Sequence, residues 1–171
     1  MKIPDISNIS TILVYFDTNI YSRLFDDQTQ PNIQQKANAC LEIIEAIKMK
    51  HLTLLGSDIV MFEVYNILEK EKQAKVENYL TLPSYHIDSS DEILKLGQQL
   101  EIQCQIKARE ALHIASAIIG KARYFLSCDK KVTQMKQAKC YRRLAKSYRQ
   151  TYFSVMNPIR FVEKMKKGEL E

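Results

Sequence analysis

Ile12-Leu13-Val14-Tyr15-Phe16-Asp17-Thr18-Asn19 is the stretch that decides the fold. Five apolar or aromatic residues without polar alternation read as a strand buried on both faces of a parallel sheet, and the run ends in a carboxylate. The same construction recurs at Tyr124-Phe125-Leu126-Ser127-Cys128, which is followed by Asp129. Open α/β sheets bind their ligands beyond the carboxyl ends of their strands. Two aspartates therefore stand where such a sheet builds a site.

Outward from these runs, strands and helices alternate. A short helix is expected from residue 20 to 25, then a polar loop to residue 32. Residues 33–50 carry Ala37, Cys40, Leu41, Ile44 and Ile47 on one stripe, the pattern of an amphipathic helix. A strand is expected at 52–55, ended by Gly56. Ser57 can cap a helix running to about residue 72, with a helical continuation to residue 80. A third strand falls at 85–87, and Ser90 caps a helix over 91–100. Residues 107–121 form a helix that is apolar almost all round from residue 111, and so buried. A basic helix spans 132–150, a last strand 152–156, and Asn157-Pro158 opens a closing helix. This alternation predicts an α/β protein, a three-layer α/β/α sandwich with a mostly parallel central sheet.

A length of 171 residues fits a single domain, 1–171, with 1–11 as a loose N-terminal arm. The hydrophobic fraction of 46% supplies a core. Lys and Arg number 25 and Asp and Glu 20, a net charge of +5 that permits a polyanionic partner without demanding one. No apolar segment approaches the roughly 20 residues of a membrane span. The opening MKIPDISNIS lacks a secretory apolar core, so a cytoplasmic location is expected. Cys40, Cys104, Cys128 and Cys140 form no CxxC pair and are expected to be reduced thiols. With His51, His86 and His113 they show no zinc-ligand spacing.

Two further acids interrupt apolar helix faces. Glu63 lies one turn from both Ile59 and Ile67, and Glu110 shares its face with Ile106, His113, Ile114 and Ala117. Taken singly, each glutamate could sit at the edge of its stripe, and each aspartate could be a turn residue. Together, four acids at one end of a sheet would repel one another unless a divalent cation joined them. Mg²⁺ and Mn²⁺ suit carboxylate oxygens. His113, inside an apolar helix, reads as a satisfied core histidine rather than a ligand.

The segments VYFDTNIY, SDIVMFEVYNIL, REALHIASAIIGKARYFLSCDKK and MNPIRFVEKM, in this order, resemble the PIN-domain nucleases. The resemblance extends from about Val14 to Lys166. It implies a three-layer α/β/α fold and a metal-dependent endoribonuclease with an acidic pocket for Mg²⁺ or Mn²⁺. It also implies RNA as substrate, and many members are toxins of toxin–antitoxin pairs, inhibited by a small antitoxin protein. By this resemblance Asp17, Glu63, Glu110 and Asp129 are the catalytic metal ligands. Thr18, Asn19 and Ser127 would support them. Glu110 departs from the family, which most often has aspartate there. Arg142, Arg143, Lys146 and Arg149, interleaved with Tyr141 and Tyr148, are candidate RNA contacts or a solvated helix face. A homodimer would draw on exposed Phe161 or Met165. Two other readings compete: a catalytically degenerate PIN module that binds RNA or a protein partner without cleavage, and phosphoryl transfer through Asp17. The second usually needs a further aspartate where Asn19 stands.

Overall fold

The computed structural model describes residues 11–171; residues 1–10 of the expected N-terminal arm lie outside them. Five strands form one sheet: β1 (Ile12–Phe16), β2 (Leu52–Ser57), β3 (Tyr85–Ile87), β4 (Tyr124–Leu126) and β5 (Ser154–Met156). Their order is β3-β2-β1-β4-β5, and every pairing is parallel. The register sets Ile12 beside Leu52 and Phe16 beside Leu126. The chain moves outward from β1 to β2 and β3, then crosses back to β4 on the other side of β1. The crevice between β1 and β4 is the topological switch point, where such sheets bind ligands.

Nine helices are described: α1 (Thr18–Arg23), α2 (Pro31–Lys48), α3 (Asp58–Tyr65), α4 (Lys70–Glu77), α5 (Asp91–Cys104), α6 (Ala108–Ile119), α7 (Lys130–Thr133), α8 (Met135–Ser147) and α9 (Pro158–Lys166). A 3₁₀ turn covers Asn78–Thr81. Helix α2 packs on α1 and α9, and α5 on α6 and α8, giving the helical layers of an α/β/α sandwich. The two apolar runs are buried as their lack of alternation implies. Val14, Tyr15, Tyr124, Phe125 and Leu126 are fully enclosed, and the rings of Tyr15 and Phe125 stack at 5.4 Å across neighbouring strands. No described helix is long and apolar enough to cross a membrane.

Several expectations are corrected. Strand β2 does not stop at Gly56 but runs on to Ser57, which pairs with Ile87. A Cβ at Gly56 would lie 3.1 Å from Pro83, so the missing side chain admits the β3 approach. Helix α3 ends at Tyr65 rather than near residue 72. Asn66 Nδ2 donates to Phe62 O (2.7 Å), and the buried Gln73 amide donates to Tyr65 O (2.6 Å) and Val64 O (3.2 Å). These side chains take the carbonyls that a longer helix would use. The basic helix is broken at Gln134 into α7 and α8. Cys104 and Cys140 are not reduced thiols: they form a disulfide joining α5 to α8, with Cα atoms 5.7 Å apart. The fold brings together two helices whose cysteines are 36 residues apart, a proximity no local spacing signals. Phe161 is not exposed either; it is fully buried, with its ring 5.1 Å from that of Tyr124.

Gly120 ends α6 where the helix meets β2. A Cβ there would lie 2.3 Å from Leu55 Cδ2 and 2.9 Å from Ser116 O, and Leu55 is itself buried. Gly120→Ala should therefore destabilise by about 1–3 kcal/mol through overpacking, read as a lower urea midpoint with unchanged slope.

Candidate active site

Asp17 is the residue after β1. Its backbone N–H donates to Leu126 O (2.9 Å), so the strand pairing itself fixes where the side chain emerges. Ser127 Oγ donates to Asp17 Oδ2 (2.7 Å), and Asn19 Nδ2 donates to the same oxygen (2.8 Å). Asn19 is held in turn, because its Oδ1 accepts from Cys128 N (2.9 Å). Two donors thus clamp Oδ2 and leave Oδ1 facing the interior of the site. Asp17 and Ser127 are both buried.

Helix α3 brings Glu63 and helix α6 brings His113 to this oxygen. Ser57 caps α3 by accepting from Val60 N (3.2 Å), which sets the helix's starting angle. His113 Nε2 lies 3.0 Å from Glu63 Oε2 and 3.8 Å from Asp17 Oδ1. On its other side, His113 Nδ1 is 2.8 Å from the Tyr15 hydroxyl, which is 2.7 Å from Ser57 Oγ. Arg109, at the start of α6, sets its Nε 3.0 Å from Glu63 Oε1, but its side chain is 73% exposed. One oxygen each from Asp17 and Glu63 and the ring nitrogen of His113 lie within 4.8 Å of one another.

Glu110 and Asp129 are not in that cluster. They line the same depression, of about 390 Å³, together with Thr18, Asn19, Phe62, Arg109 and the clustered residues. They also border an adjoining depression between α6 and α7, about 440 Å³ in volume. Asp129 has a turn role as well: its Oδ1 accepts from Lys131 N (2.8 Å) and caps α7. Several polar atoms here are buried without a well-aligned hydrogen-bond partner: Thr18 Oγ1, Glu63 Oε1, Glu110 Oε2 and His113 Nε2. Arg142, Arg143, Lys146 and Arg149 do not line either depression. They are exposed on and just beyond α8, while Tyr141 is buried with its hydroxyl on Val132 O (3.1 Å) and is not free to stack on a base.

The electrostatics follow from this packing. Burial pushes the Asp17 carboxyl above its ordinary value, and the opposing pull of His113 and the Ser127 hydrogen bond is too small to reverse it. Burial acts on Glu63 in the same sense. There, contact with His113 and its charge, the Thr18 hydroxyl and Arg109 outweigh it and hold the carboxyl below its usual range. Tyr15 is driven well upward by burial and so keeps its proton.

His113 is buried as its apolar helix implies, and it borders the depression together with Arg109 and Phe62, which no motif singles out. The signal for His113 was its place one turn beyond Glu110 on the same helix face. An acid–histidine cluster at the switch point of a parallel α/β sheet defines a class of protein with a built polar site. The PIN domain model matches residues 14–138, and the chain belongs to the PIN-domain family. Among solved structures, VapBC2 from Rickettsia felis, bound to a DNA fragment from its promoter, matches with a TM-score of 0.55 at 17% identity. The match covers 85% of this chain and 98% of that one. No curated protein matches the chain significantly in sequence.

Because the folded protein holds the Asp17 proton more tightly than the unfolded chain does, this group favours folding below the ordinary aspartate pKa of about 4. That contribution fades as pH rises through the elevated value. In metal-free buffer, Asp17→Asn should unfold at a higher temperature than the wild type near neutral pH, and the two melting curves should converge in acid. A variant that melts lower at every pH would show that the carboxylate is stabilising.

Proposed function

We propose that this PIN-domain protein is a metal-dependent endoribonuclease that hydrolyses phosphodiester bonds in RNA, and that it is the toxin of a toxin–antitoxin pair. The observation that carries the reading is the meeting of four acids on one open depression: Asp17 is clamped, Glu63 is answered only by His113 and an exposed Arg109, and Glu110 Oε2 is buried without a partner beside Asp129. Carboxylates packed this closely call for a cation, and hard divalent ions fit oxygen donors. Asp17, Glu63, Glu110 and Asp129 are the proposed ligands of Mg²⁺ or Mn²⁺. Such an ion would lower the pKa of a bound water and polarise the scissile phosphate. Ser127 and Asn19 would hold Asp17 in one orientation, which is how neighbours of metal ligands sustain affinity.

The rim supports a single-stranded polyanion. Phe62 is 63% exposed at the mouth and offers a face for base stacking. Arg109 is exposed beside it and would turn from Glu63 to a backbone phosphate once a metal neutralises the acids. The exposed cations Arg142, Arg143 and Lys146 of α8, with Arg149 just after it, add positive charge outside the depression for further phosphate contacts. The likeness to VapBC2 supports an antitoxin partner and, with it, action in the cytoplasm.

Single-stranded RNA incubated with Mn²⁺ or Mg²⁺ should be cleaved by the wild type and spared by Asp17→Asn, with a loss of at least about 100-fold. Cleavage by neither protein, with RNA still bound, would establish the degenerate module instead. Arg142→Ala combined with Arg143→Ala should weaken RNA binding and flatten its salt dependence. The log–log slope should fall by up to about 1.4, the single-strand value for two lost phosphate contacts. An unchanged slope would make this helix face a solvated surface only.

A further inference from the structure

We infer that His113 is itself a metal ligand, completing a two-carboxylate, one-imidazole set with Asp17 and Glu63, and that it gives the site a preference for Mn²⁺-like ions over Mg²⁺. The inference rests on the metal-dependent reading above, but assigns a ligand beyond the four acids. His113 is 2% exposed, lies in the middle of α6, and its Nε2 has no well-aligned hydrogen-bond partner. A buried ring nitrogen whose only polar neighbours are poorly aligned carboxylates is incompletely satisfied unless a cation joins them. This nitrogen is aimed at Glu63 Oε2, 3.0 Å away, and at Asp17 Oδ1, 3.8 Å away. Those are the two acids that converge most closely in the site.

The far side of the ring supports the assignment. Ser57 Oγ accepts from Val60 N, and the Tyr15 hydroxyl lies between Ser57 Oγ and His113 Nδ1. A Tyr15 hydroxyl that gives its proton to Ser57 accepts one from Nδ1–H. With Nδ1–H engaged in this way, Nε2 is the nitrogen left to a metal, which would displace any proton it carries toward the two carboxylates. Ligating histidines are oriented by such a hydrogen bond on the other ring nitrogen. The bond also runs back through β1 and the α3 cap, so the ring is held by the same strand that presents Asp17. Imidazole is a poor ligand for Mg²⁺ and a good one for transition ions, whereas an all-carboxylate site has no such bias.

The decisive probe is Mn²⁺ added to the full-length wild type at one equivalent, read by pulsed electron paramagnetic resonance. A ¹⁴N coupling from directly bound imidazole is expected. It should persist in His86→Asn, which removes the histidine of the other acid–histidine cluster, Asp58, His86 and Asp88. It should vanish in His113→Asn, with Mn²⁺ affinity falling by about tenfold or more and Mg²⁺ affinity changing far less. If His113→Asn fails to fold, the His51→Asn, His86→Asn double variant, which leaves His113 as the sole histidine, decides alone. Bound Mn²⁺ without ¹⁴N coupling, or coupling lost in His86→Asn, overturns the assignment. Mg²⁺-dependent RNA cleavage in that event would leave the acidic nuclease site standing without His113. Absence of both Mn²⁺ binding and cleavage would remove the two readings together.

Discussion

The site depends on one electrostatic conflict. Asp17 and Glu63 are brought within reach of each other in a largely dehydrated pocket, where two like charges resist coexistence. Nothing local resolves it fully. Glu63 gains His113, Thr18 and a solvent-exposed Arg109, while Asp17 keeps a pKa raised by burial. The protein tolerates this because the sheet supplies the stability. The strand runs that present Asp17 and Ser127 are fully buried, and their backbone pairing extends one residue past β1 through Asp17 N–H to Leu126 O. A rigid core can hold strained electrostatics at one edge, as functional sites generally require.

The same backbone that builds the core also aims the polar side chains of the site. Side chains alternate along a strand, so Tyr15 and Asp17 leave β1 on the same face. Tyr15 reaches His113 from beneath, and Asp17 reaches it from beyond the strand end. Ser127, at the corresponding place after β4, donates across to Asp17 Oδ2 and accepts from Asp129 N (3.1 Å). A hydroxyl that could have been mere strand filling thereby fixes the carboxylate and the start of the loop that carries Asp129.

Much of this was legible because it follows from period and punctuation. The unalternating runs at 12–16 and 124–128 gave the central parallel strands, and Ser57, Ser90 and Asn157 cap their helices through side-chain oxygens as expected. The boundaries that failed were set by tertiary contacts. Gln73 ends α3 from another helix, and β2 reaches Ser57 because β3 arrives beside it. The Cys104–Cys140 pairing and the burial of Phe161 and Tyr141 likewise need the whole fold. The surroundings of His113 need it too. Its apolar helix neighbours announce burial, but only the arrival of α3 and β1 reveals that one ring nitrogen meets the Tyr15 hydroxyl and the other meets Glu63.

The two halves of the pocket differ in rigidity, and this bears on the glutamate at position 110. Asp17, Ser127 and His113 are buried and mutually tied, so their positions are set by the core. Glu110 occupies the first turn of α6, Asp129 caps the four-residue α7, and Arg109 is mostly exposed. Helix starts and loops adjust more readily than a sheet edge. An extra methylene in the rigid half would displace a carboxylate, but in the adaptable half it can be absorbed by side-chain rotation. Glu110 Oε2 is already buried and unpartnered there, so the longer side chain still delivers an oxygen to the wall of the depression. Glu110 thus falls in the part of the site best able to adjust.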